Sequence, residues 1–584
     1  MPNRTTDDTL AAAVDRGAAA LLARLRADGV FAADGDRFAP ANTAAAVVAL
    51  CAAGGGDPGG VIAAGVRRLL ATQRPDGGWA MDGVPSEPFS TLVVTAALRM
   101  AAPHEAGPAI AAGRELAGRL GGAAALPEPV MAGLVRQFDA LAGFGDEAAL
   151  PRLPLELLLL RGPARRLLSL RLPIFAALAL GQEAHRRRGP LGRWLNGRAR
   201  PAALAVVREA YEREGSTGGF STDPWLTALI CLGVGRSGRA PDIARAAADW
   251  LRAAARPDGG WDLMPLDITW STFALSALLA AGAGAGRLEP VREMFRARQQ
   301  DVPFTALACP AGHWGFSGDR SWPMALETAE VAALLRALPG GAEDRWARDG
   351  IGWLTSAQDR SGSWSLAVRD SKRGGFGPCP QMTAKAVGAL LGAGVAVSDR
   401  RVARALEWLA GEQRADGSFE AMWYRGPVAG TAAVLEAYCL AGRADHPVAA
   451  AARRWLASAQ RADGSWGAGD PTAPDAPPQG RTAPQRPGSG PPEPVAGSVA
   501  GTVEETAWAL HALLVAGADP LGGAAVGAGR WLTERQRADG GWPGAPVNEY
   551  IRHCFRYTDD VIASGLAVRA LARLRGTGAR GGAA

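Results

Sequence analysis

Gln536-Arg-Ala-Asp-Gly-Gly-Trp542 is the last of six copies of a seven-residue phrase that recurs along this chain. All copies keep the Gly at the fifth position and an aromatic residue at the seventh, and five begin with Gln. The other copies are Gln73-Arg-Pro-Asp-Gly-Gly-Trp79, Ala255-Arg-Pro-Asp-Gly-Gly-Trp261, Gln358-Asp-Arg-Ser-Gly-Ser-Trp364, Gln413-Arg-Ala-Asp-Gly-Ser-Phe419 and Gln460-Arg-Ala-Asp-Gly-Ser-Trp466.

The phrase predicts the end of an amphipathic helix. An Asp-Gly or Ser-Gly turn, which tolerates positive φ, closes the helix, and the Gln amide can bond the exposed peptide groups there while the Trp lies over them. Repeats of this length indicate stacked helix pairs. A Trp-Leu pair stands five residues before most copies, at Trp250, Trp353, Trp408, Trp455 and Trp531.

Composition places the chain among globular proteins. It has 584 residues, of which 48% are hydrophobic, and a net charge of +6 that is spread along the sequence. This length allows two domains and a large core. Six separated Cys predict reduced thiols in a cytoplasmic protein. There is no nucleic-acid motif, so we expect no nucleic-acid partner. We also expect neither a signal peptide nor a membrane-spanning helix, because no apolar run is long enough to span a bilayer.

The periodic segments predict an all-α fold, because Ala and Leu dominate them and alternation typical of strands is absent. Two further segments stand apart. Residues 153–172 are apolar but studded with Arg, which suits either a core helix or one lying in a membrane interface. Residues 470–497 are rich in Pro, Gly and Ser and predict a flexible insertion. The predicted helices of the inner layer are 225–234, 270–281, 327–338, 383–394, 431–441, 505–516 and 562–574.

The repeats and their context resemble the QW repeats of squalene-hopene cyclases and other class II terpene cyclases. The resemblance extends over roughly residues 40–575. It is carried also by Leu153-Pro-Leu-Glu, Asp223-Pro-Trp225, Ile268-Thr-Trp270-Ser-Thr, Trp314-Gly-Phe316 and Glu505-Thr-Ala-Trp508. It implies two α/α-barrel domains in the terpenoid cyclase/prenyltransferase toroid (βγ arrangement), with a central cavity for an isoprenoid. It also implies contact with the inner face of the cell membrane from one side only; monomer and homodimer both remain open.

The expected domain division follows from this resemblance. Residues 1–40, 221–300 and 381–584 are expected to form mainly one barrel. Residues 41–220 and 301–380 are expected to contribute to the second barrel and the inter-domain region.

The catalytic signature of the family is altered in this chain. In the family it reads Asp-x-Asp-Asp-Thr-Ala, and its middle Asp donates a proton. Here the corresponding run is Met324-Ala-Leu326-Glu327-Thr328-Ala329. Leu326 cannot donate a proton, and Ser271 stands where the family usually has another Asp. The resemblance therefore implies a cavity whose acid has changed position or identity.

Three carboxyl groups are candidates for that acid. Asp559 and Asp560 directly precede the last predicted inner helix, and Asp559 falls where the family has a cavity-facing Tyr. We predict Asp559 as the donor, with Asp560 or Glu327 holding its proton in place. Alternatively Asp559 or Asp560 only caps the helix, because Asp is favoured at N-caps. Glu327 would equally suit a first helical turn, where the helix dipole favours an acidic residue.

Aromatic residues are the second requirement, because Trp and Phe faces stabilise carbocations by ~0.5–2 kcal/mol each when desolvated. The resemblance places five aromatic residues at the cavity, although core packing would also explain them. They are Trp225, Trp270, Phe316, Trp423 and Phe555.

The sequence therefore predicts a class II-type terpene cyclase with a relocated acid, acting on squalene or on a C15–C20 prenyl chain or diphosphate. Class II chemistry requires no cofactor. One alternative is a protein that binds isoprenoids without turnover. Another is Mg²⁺-dependent ionisation of a diphosphate, with Asp559 and Asp560 on the metal and Arg552 and Arg556 on phosphate oxygens.

Overall fold

The computed structural model describes residues 4–33, 35–54, 56–159, 173–186, 189–318, 320–371, 377–467 and 501–581. Helices dominate them, which confirms the predicted all-α class. The longer helices are α1 (Arg4–Ala23), α2 (Pro40–Ala53), α3 (Val61–Ala71), α4 (Pro88–Ala101), α5 (Gly107–Arg119), α6 (Pro129–Leu141), α7 (Pro173–His185), α8 (Pro190–Arg213), α9 (Pro224–Ser237), α10 (Pro241–Ala253), α11 (Asp267–Ala280), α12 (Ala285–Ala297), α13 (Ala325–Ala337), α14 (Arg345–Ala357), α15 (Pro380–Gly392), α16 (Arg400–Glu412), α17 (Val428–Leu440), α18 (Pro447–Ser458), α19 (Val503–Val515), α20 (Gly523–Glu534) and α21 (Asp560–Gly581).

Twelve of these helices form a closed α/α barrel. The inner ring consists of α11, α13, α15, α17, α19 and α21, each packed against the next, and α21 closes the ring on α11. The outer layer consists of α1, α12, α14, α16, α18 and α20. The outer helices α14 and α16 each bury one apolar stripe, whereas the inner helices α17 and α19 are buried over most of their surface.

The remaining helices form a second layered unit. Its inner helices α6, α4, α2, α9 and α7 pack in that order, with α3, α5, α8 and α10 outside them. This arrangement differs from the expected domain division at four helices. We expected α9 and α10 in the first barrel, and α13 and α14 in the second barrel or the inter-domain region, but each of them packs in the other unit. The sequence is misleading here because the same repeat pattern occurs in both units. It does not mark where the chain passes from one unit to the other.

The repeat phrases join neighbouring outer helices. In each of five copies the terminal Trp donates its indole N–H to the carbonyl of a Leu ten residues earlier, as in Trp542 to Leu532 at 2.7 Å. The Gln amide donates to its own turn and to a carbonyl at another outer helix. Gln413, for example, reaches Gly417 and Val448, both at 3.0 Å. Both predicted roles of the phrase are confirmed.

A hydroxyl side chain on an inner helix completes each repeat, Thr in five copies and Ser564 in the last, and sequence reasoning missed this partner. The backbone N–H of Trp79, for example, donates to Thr91 Oγ1 at 3.1 Å, and that of Phe419 donates to Thr431 Oγ1 at 2.9 Å. The sequence analysis also missed an interrupted repeat, in which the indole of Trp314 donates to the Phe295 carbonyl at 2.6 Å. The insertion between Gln299 and Trp314 hides this copy from a search at fixed spacing.

Each predicted inner helix is present and begins one to three residues before its predicted start. Two of them, α9 and α15, begin with Pro, whose fixed φ suits the first helical position. A short hairpin, β1 (Asn548–Ile551) and β2 (Phe555–Tyr557), was not predicted. It pairs Asn548 with Tyr557 and brings polar side chains to the space between the two units.

Two predicted segments fall largely outside the part of the chain that the structure describes. These are the insertion at 470–497 and, from residue 160 onward, the Arg-studded segment 153–172. Within the described ranges, no helix has the length and apolar character needed to cross a membrane.

Candidate active site

A cavity lies between the two helical units, and both contribute to its wall. The N-terminal unit supplies the first turn of α9 and one face of α6, and the C-terminal barrel supplies the first turns of α11 and α13 together with the hairpin. Most lining residues are apolar. The polar and aromatic ones are Glu128, Asp223, Trp225, Thr269, Phe316, Trp322, Glu327, Glu330, Trp423, Tyr424, Glu549, Tyr550, Arg552 and Tyr557.

Glu327 is the predicted acid that the structure places on this wall. It lies in the first turn of α13 and is 5% exposed. Its Oε1 accepts a 3.2 Å hydrogen bond from the Thr269 hydroxyl, and its Oε2 has no hydrogen-bond partner among the described residues. Burial, with a further contribution from the nearby Glu330 carboxylate, raises the pKa of Glu327 to about 7. A substantial fraction of the group is therefore protonated at neutral pH.

Glu330 lies one turn further along α13 and also lines the cavity. Lys385 Nζ stands 3.4 Å from its Oε1, and the Thr272 hydroxyl donates to its Oε2 at 3.2 Å. These contacts balance the charge of Glu330. The two carboxyl groups of α13 therefore have different surroundings, with Glu330 paired to a cation and Glu327 buried with one free oxygen. Leu326, at the place of the family's donor, lines the cavity as an apolar residue.

Asp559 is buried but does not line the cavity, which corrects the prediction that it faces the substrate. Its Oδ1 accepts the backbone N–H groups of Val561 and Ile562, both at 3.0 Å, so it caps α21. Its Oδ2 accepts the Trp270 indole N–H at 2.6 Å and lies 3.4 Å from the Arg37 guanidinium. Both oxygens are therefore occupied by hydrogen-bond donors.

Asp560 lies further from the cavity. It pairs with Arg537 and accepts the Gly544 backbone N–H at 2.8 Å, and its side chain is 24% exposed. It makes no hydrogen bond or ion pair to Asp559 or Glu327 among those the structure records. Asp560 is therefore not placed to hold a proton on Asp559, contrary to the prediction. Its contacts are those of a residue that fixes the loop after Trp542.

Three of the five predicted aromatic residues lie on the cavity wall. Trp225 packs against Phe89 at a ring-centroid distance of 5.4 Å, and Phe316 and Trp423 line the cavity beside the acid-bearing helices. Trp270 and Phe555 do not. The indole of Trp270 is held between Asp559 and the Arg37 guanidinium, which lies 4.6 Å from its ring centroid. Phe555 packs edge-on behind the ring of Tyr550.

Tyrosines on the wall were missed by the sequence analysis. Tyr424, Tyr550 and Tyr557 all line the cavity, and the chain has only five Tyr. Burial raises the pKa of Tyr424, and nearby Glu330, Tyr557 and Glu327 raise it further, so its hydroxyl stays neutral. One sequence signal for a cavity position was available. Tyr is scarce in this chain, and all three residues stand shortly before an inner helix.

Four carboxyl groups on the wall were also missed: Glu128, Asp223, Glu330 and Glu549. Asp223 caps α9 by accepting the Trp225 backbone N–H at 2.9 Å, and the Tyr550 hydroxyl donates to its other oxygen. Burial raises the pKa of Asp223 to about 7. Sequence reasoning treated Asp223 as part of a motif rather than as a cavity residue, and nothing local marks Glu549.

The predicted phosphate ligands are already paired with carboxylates. Arg552 contacts Glu420 and Glu128, and Arg556 donates to Glu87 Oε1 at 2.8 Å. Among the described residues, no group of three or more His, Cys, Asp or Glu is arranged to hold a metal ion. Asp559 and Asp560 also have separate sets of partners, so they do not fit the Mg²⁺ pair of the alternative prediction.

Two helical units that enclose an aromatic, carboxyl-bearing cavity form the architecture that the resemblance to terpenoid cyclases implies. A family model, the squalene-hopene cyclase C-terminal domain, matches residues 370–551. The squalene–hopene cyclase of Alicyclobacillus acidocaldarius is 30% identical over 409 residues, covering 64% of this chain and 61% of that protein. The chain thus spans less than two thirds of the length of this relative.

A solved structure shows the same fold. ent-Copalyl diphosphate synthase from Streptomyces platensis superimposes with a TM-score of 0.53 and 20% identity, covering 97% of this chain and 100% of that chain. A variant of the type II terpene cyclase MstE from Scytonema, solved with geranylgeranyl dihydroxybenzoate, has a TM-score of 0.39 and 17% identity, covering 53% of this chain and 88% of that chain. The chain is therefore similar to class II terpene cyclases, in sequence over the matched segments and in fold over most of its length. Such cyclases generally work by acid catalysis without a cofactor.

Proposed function

We propose that this protein cyclises an isoprenoid and that Glu327 is its proton donor. The observation that carries the proposal is the free oxygen of Glu327: Oε2 is buried on the cavity wall and is not engaged by any described residue. A donor must reach the reacting atom directly, and of the three predicted acids only Glu327 lies on that wall.

The proposed reaction begins with transfer of the Glu327 proton to a carbon–carbon double bond or an epoxide oxygen of the substrate. For an alkene, the π electron pair forms the new C–H bond and leaves a carbocation. Successive double bonds then attack this cation and close rings. Loss of a proton from the final cation, or its capture by water, ends the sequence, and the Glu327 carboxylate regains a proton from solvent. The protons and electrons therefore balance without a redox partner.

The surroundings of Glu327 serve two needs of such an acid. Burial keeps the proton on the carboxyl group at neutral pH. Burial alone would also weaken the acid, and the Thr269 hydroxyl at Oε1 opposes this by stabilising the carboxylate that transfer leaves behind. A dry wall of Leu and Met side chains, including Met264, Leu266 and Leu326, limits capture of cations by water.

The aromatic wall supports the cationic stages of the reaction. Trp225, Phe316 and Trp423 border the cavity, and their ring faces would each stabilise a nearby carbocation by ~0.5–2 kcal/mol when desolvated. The neutral hydroxyls of Tyr424 and Tyr557 add dipoles near the acid. We therefore retain this set, and not Trp270 or Phe555, as the proposed substrate contacts.

The test is a product assay with a matched control. Purified protein is incubated with squalene, with C15 and C20 prenyl alcohols and with their diphosphates, with and without Mg²⁺, and extracts are analysed for cyclic products. Glu327→Gln should lower product formation at least about 100-fold. The control is Glu504→Gln, which changes another buried carboxyl with one unpartnered oxygen, located outside the cavity. It should leave the rate within about threefold.

The outcomes separate the candidate functions. Equal activity of Glu327→Gln and wild type would exclude Glu327 as the donor. Binding of an isoprenoid without any cyclic product would support the binding-protein alternative instead. Product that forms only from a diphosphate and only with Mg²⁺ would support the ionisation alternative.

A further inference from the structure

A carboxylate-rich face of the cavity has no role in the proton donation just described. It consists of Glu128, Asp223 and Glu549 and is called here the carboxylate face. Glu549 and Tyr550 belong to strand β1, the Tyr550 hydroxyl bonds Asp223, and Arg552 at the hairpin turn contacts Glu128. These contacts hold the three carboxyl groups together on the hairpin side of the cavity. Glu327 and Glu330 lie instead on α13.

An unpartnered oxygen of Glu549 is the observation that indicates a ligand. Its side chain is fully buried and lines the cavity. Its Oε2 accepts the His553 backbone N–H at 3.0 Å, whereas its Oε1 has no hydrogen-bond partner in the described part of the chain. A buried carboxylate oxygen without a donor costs free energy comparable to a lost charge-assisted hydrogen bond. A ligand that donates a hydrogen bond would recover that energy.

The electrostatics of the carboxylate face favour a neutral ligand that donates a hydrogen bond over an anionic ligand. The lining residues that the structure describes include five carboxyl groups and a single guanidinium, that of Arg552. Arg552 is itself engaged by Glu420 and Glu128. A diphosphate brought to this face would be repelled by Glu128 and Glu549 and would compete with Glu420 for Arg552. A hydroxyl group meets neither penalty, because its hydrogen can bond Glu549 Oε1 while its oxygen accepts from a neighbouring donor.

We propose that the carboxylate face binds the polar end of the substrate and selects an isoprenoid that ends in a neutral hydrogen-bond donor, such as an alcohol or a phenol, over the corresponding diphosphate. This inference rests on the proposed function, because it takes the bound isoprenoid to be the substrate of the proposed cyclisation. The binding preference itself is independent of turnover. It also predicts that a pure hydrocarbon binds less tightly, because it would leave Glu549 Oε1 without a donor.

Binding is measured in the Glu327→Gln background, in which the proposed donor is removed and ligands are not consumed. Calorimetric titration in detergent compares geranylgeraniol, its methyl ether, geranylgeranyl diphosphate and squalene, and the C15 series is run in parallel. The alcohol should bind about tenfold or more tightly than the ether, since only the alcohol donates to a carboxylate. The same advantage should hold over the diphosphate and over squalene.

Substitutions at Glu549 locate the preference. Glu549→Gln should reduce the advantage of the alcohol over the ether to a few-fold, because an amide oxygen is a weaker acceptor than a carboxylate. Glu549→Met, which keeps the chain length without an acceptor, should abolish it. Glu504→Gln serves again as the buried control outside the cavity and should leave the advantage unchanged. Thermal unfolding checks that each variant folds.

Each result bears on one of the two proposals. Equal binding of alcohol and ether, tighter binding of the diphosphate or squalene, or an unchanged advantage in Glu549→Met would overturn the proposed head-group selection. Cyclisation by wild-type protein in those cases would leave the proposed function standing. Selective binding of the alcohol without turnover by wild type would instead retain this inference and overturn the function. Absence of any isoprenoid binding would overturn both.

Discussion

The indole N–H of Trp270 donates a 2.6 Å hydrogen bond to Oδ2 of Asp559. This bond joins the first turn of α11 to the N-cap of α21, the two helices that close the inner ring of the C-terminal barrel. Arg37 adds a third segment, because its guanidinium lies over the Trp270 ring and beside the same carboxylate oxygen. Asp559 is thus the polar centre of the ring closure, which explains a carboxylate before the last helix without a catalytic role.

Replacement of Asp559 should therefore affect stability more than chemistry. Asp559→Ala removes the α21 cap and leaves buried donors on Trp270 and Arg37, so we expect a loss of about 2–5 kcal/mol in the free energy of unfolding. Asp560→Ala, which removes a partly exposed pair with Arg537, should cost about 1 kcal/mol or less. Urea titration measures both. A stable Asp559→Ala protein that has lost all cyclisation would contradict this assignment.

The activity should fall as the pH rises through the pKa of Glu327, because the donor acts in its protonated form. The pKa is raised to about 7, so kcat/KM should be level below this value and fall about tenfold per pH unit above it. Asp559→Asn, where it folds, should keep the same profile. A rate that rises with pH across this range would show that Glu327 acts as a base or not at all.

The raised pKa of Glu327 also predicts a pH-dependent difference in the free energy of unfolding between wild type and Glu327→Gln. The folded-state pKa is raised above the ordinary value of 4.5, so wild type loses stability relative to the variant as pH rises from about 4.5 to about 7. The difference should change by about 3 kcal/mol between pH 4 and pH 8. Denaturant titrations of both proteins at several pH values provide the measurement. A constant difference would indicate an ordinary pKa.

Gln536 should hold the N-terminal helix on the barrel. Its amide donates to the Ala13 carbonyl at 2.8 Å and to the Gly540 carbonyl at 2.9 Å, which joins the turn after α20 to α1. Gln536→Ala should increase hydrogen exchange in α1 and lower the free energy of unfolding by about 1–3 kcal/mol. The matched variant Gln413→Ala removes the same two kinds of bond between α16 and α18. It should leave exchange in α1 unchanged.

An acid at position 326 should restore activity to a protein that lacks Glu327. Leu326 lines the cavity, so Leu326→Asp in the Glu327→Gln background places a carboxyl where the family keeps its donor. We expect recovery of at least about a tenth of the wild-type rate, with a stability cost of a few kcal/mol for the buried acid. Leu326→Asn is the control and should recover nothing. Equal results for Asp and Asn would show that the cavity is not shaped for proton transfer from this position.

Sequence reasoning anticipated the helical layers because their causes are local. Gln413, Gly417 and Phe419 lie within seven residues, and the turn that they form depends on few distant contacts. The inner helices were found for the same reason, since Pro380 or Thr502 marks a helix start in the sequence itself. The four helices placed in the wrong unit show the limit of this signal, because similar repeats do not indicate which barrel a helix joins.

The sequence by itself determined the helix pairs, the aromatic character of the cavity and the absence of the usual donor at Leu326. Only the tertiary structure decided which of the candidate carboxyl groups lies on the cavity wall. Asp559 is turned from the cavity by Trp270 and Arg37, which are 289 and 522 residues away in the chain, and Glu549 reaches the wall only through an unpredicted hairpin. The direction and ionisation of a buried carboxyl depend on such distant donors and on exclusion of water, and neither is set by neighbouring residues.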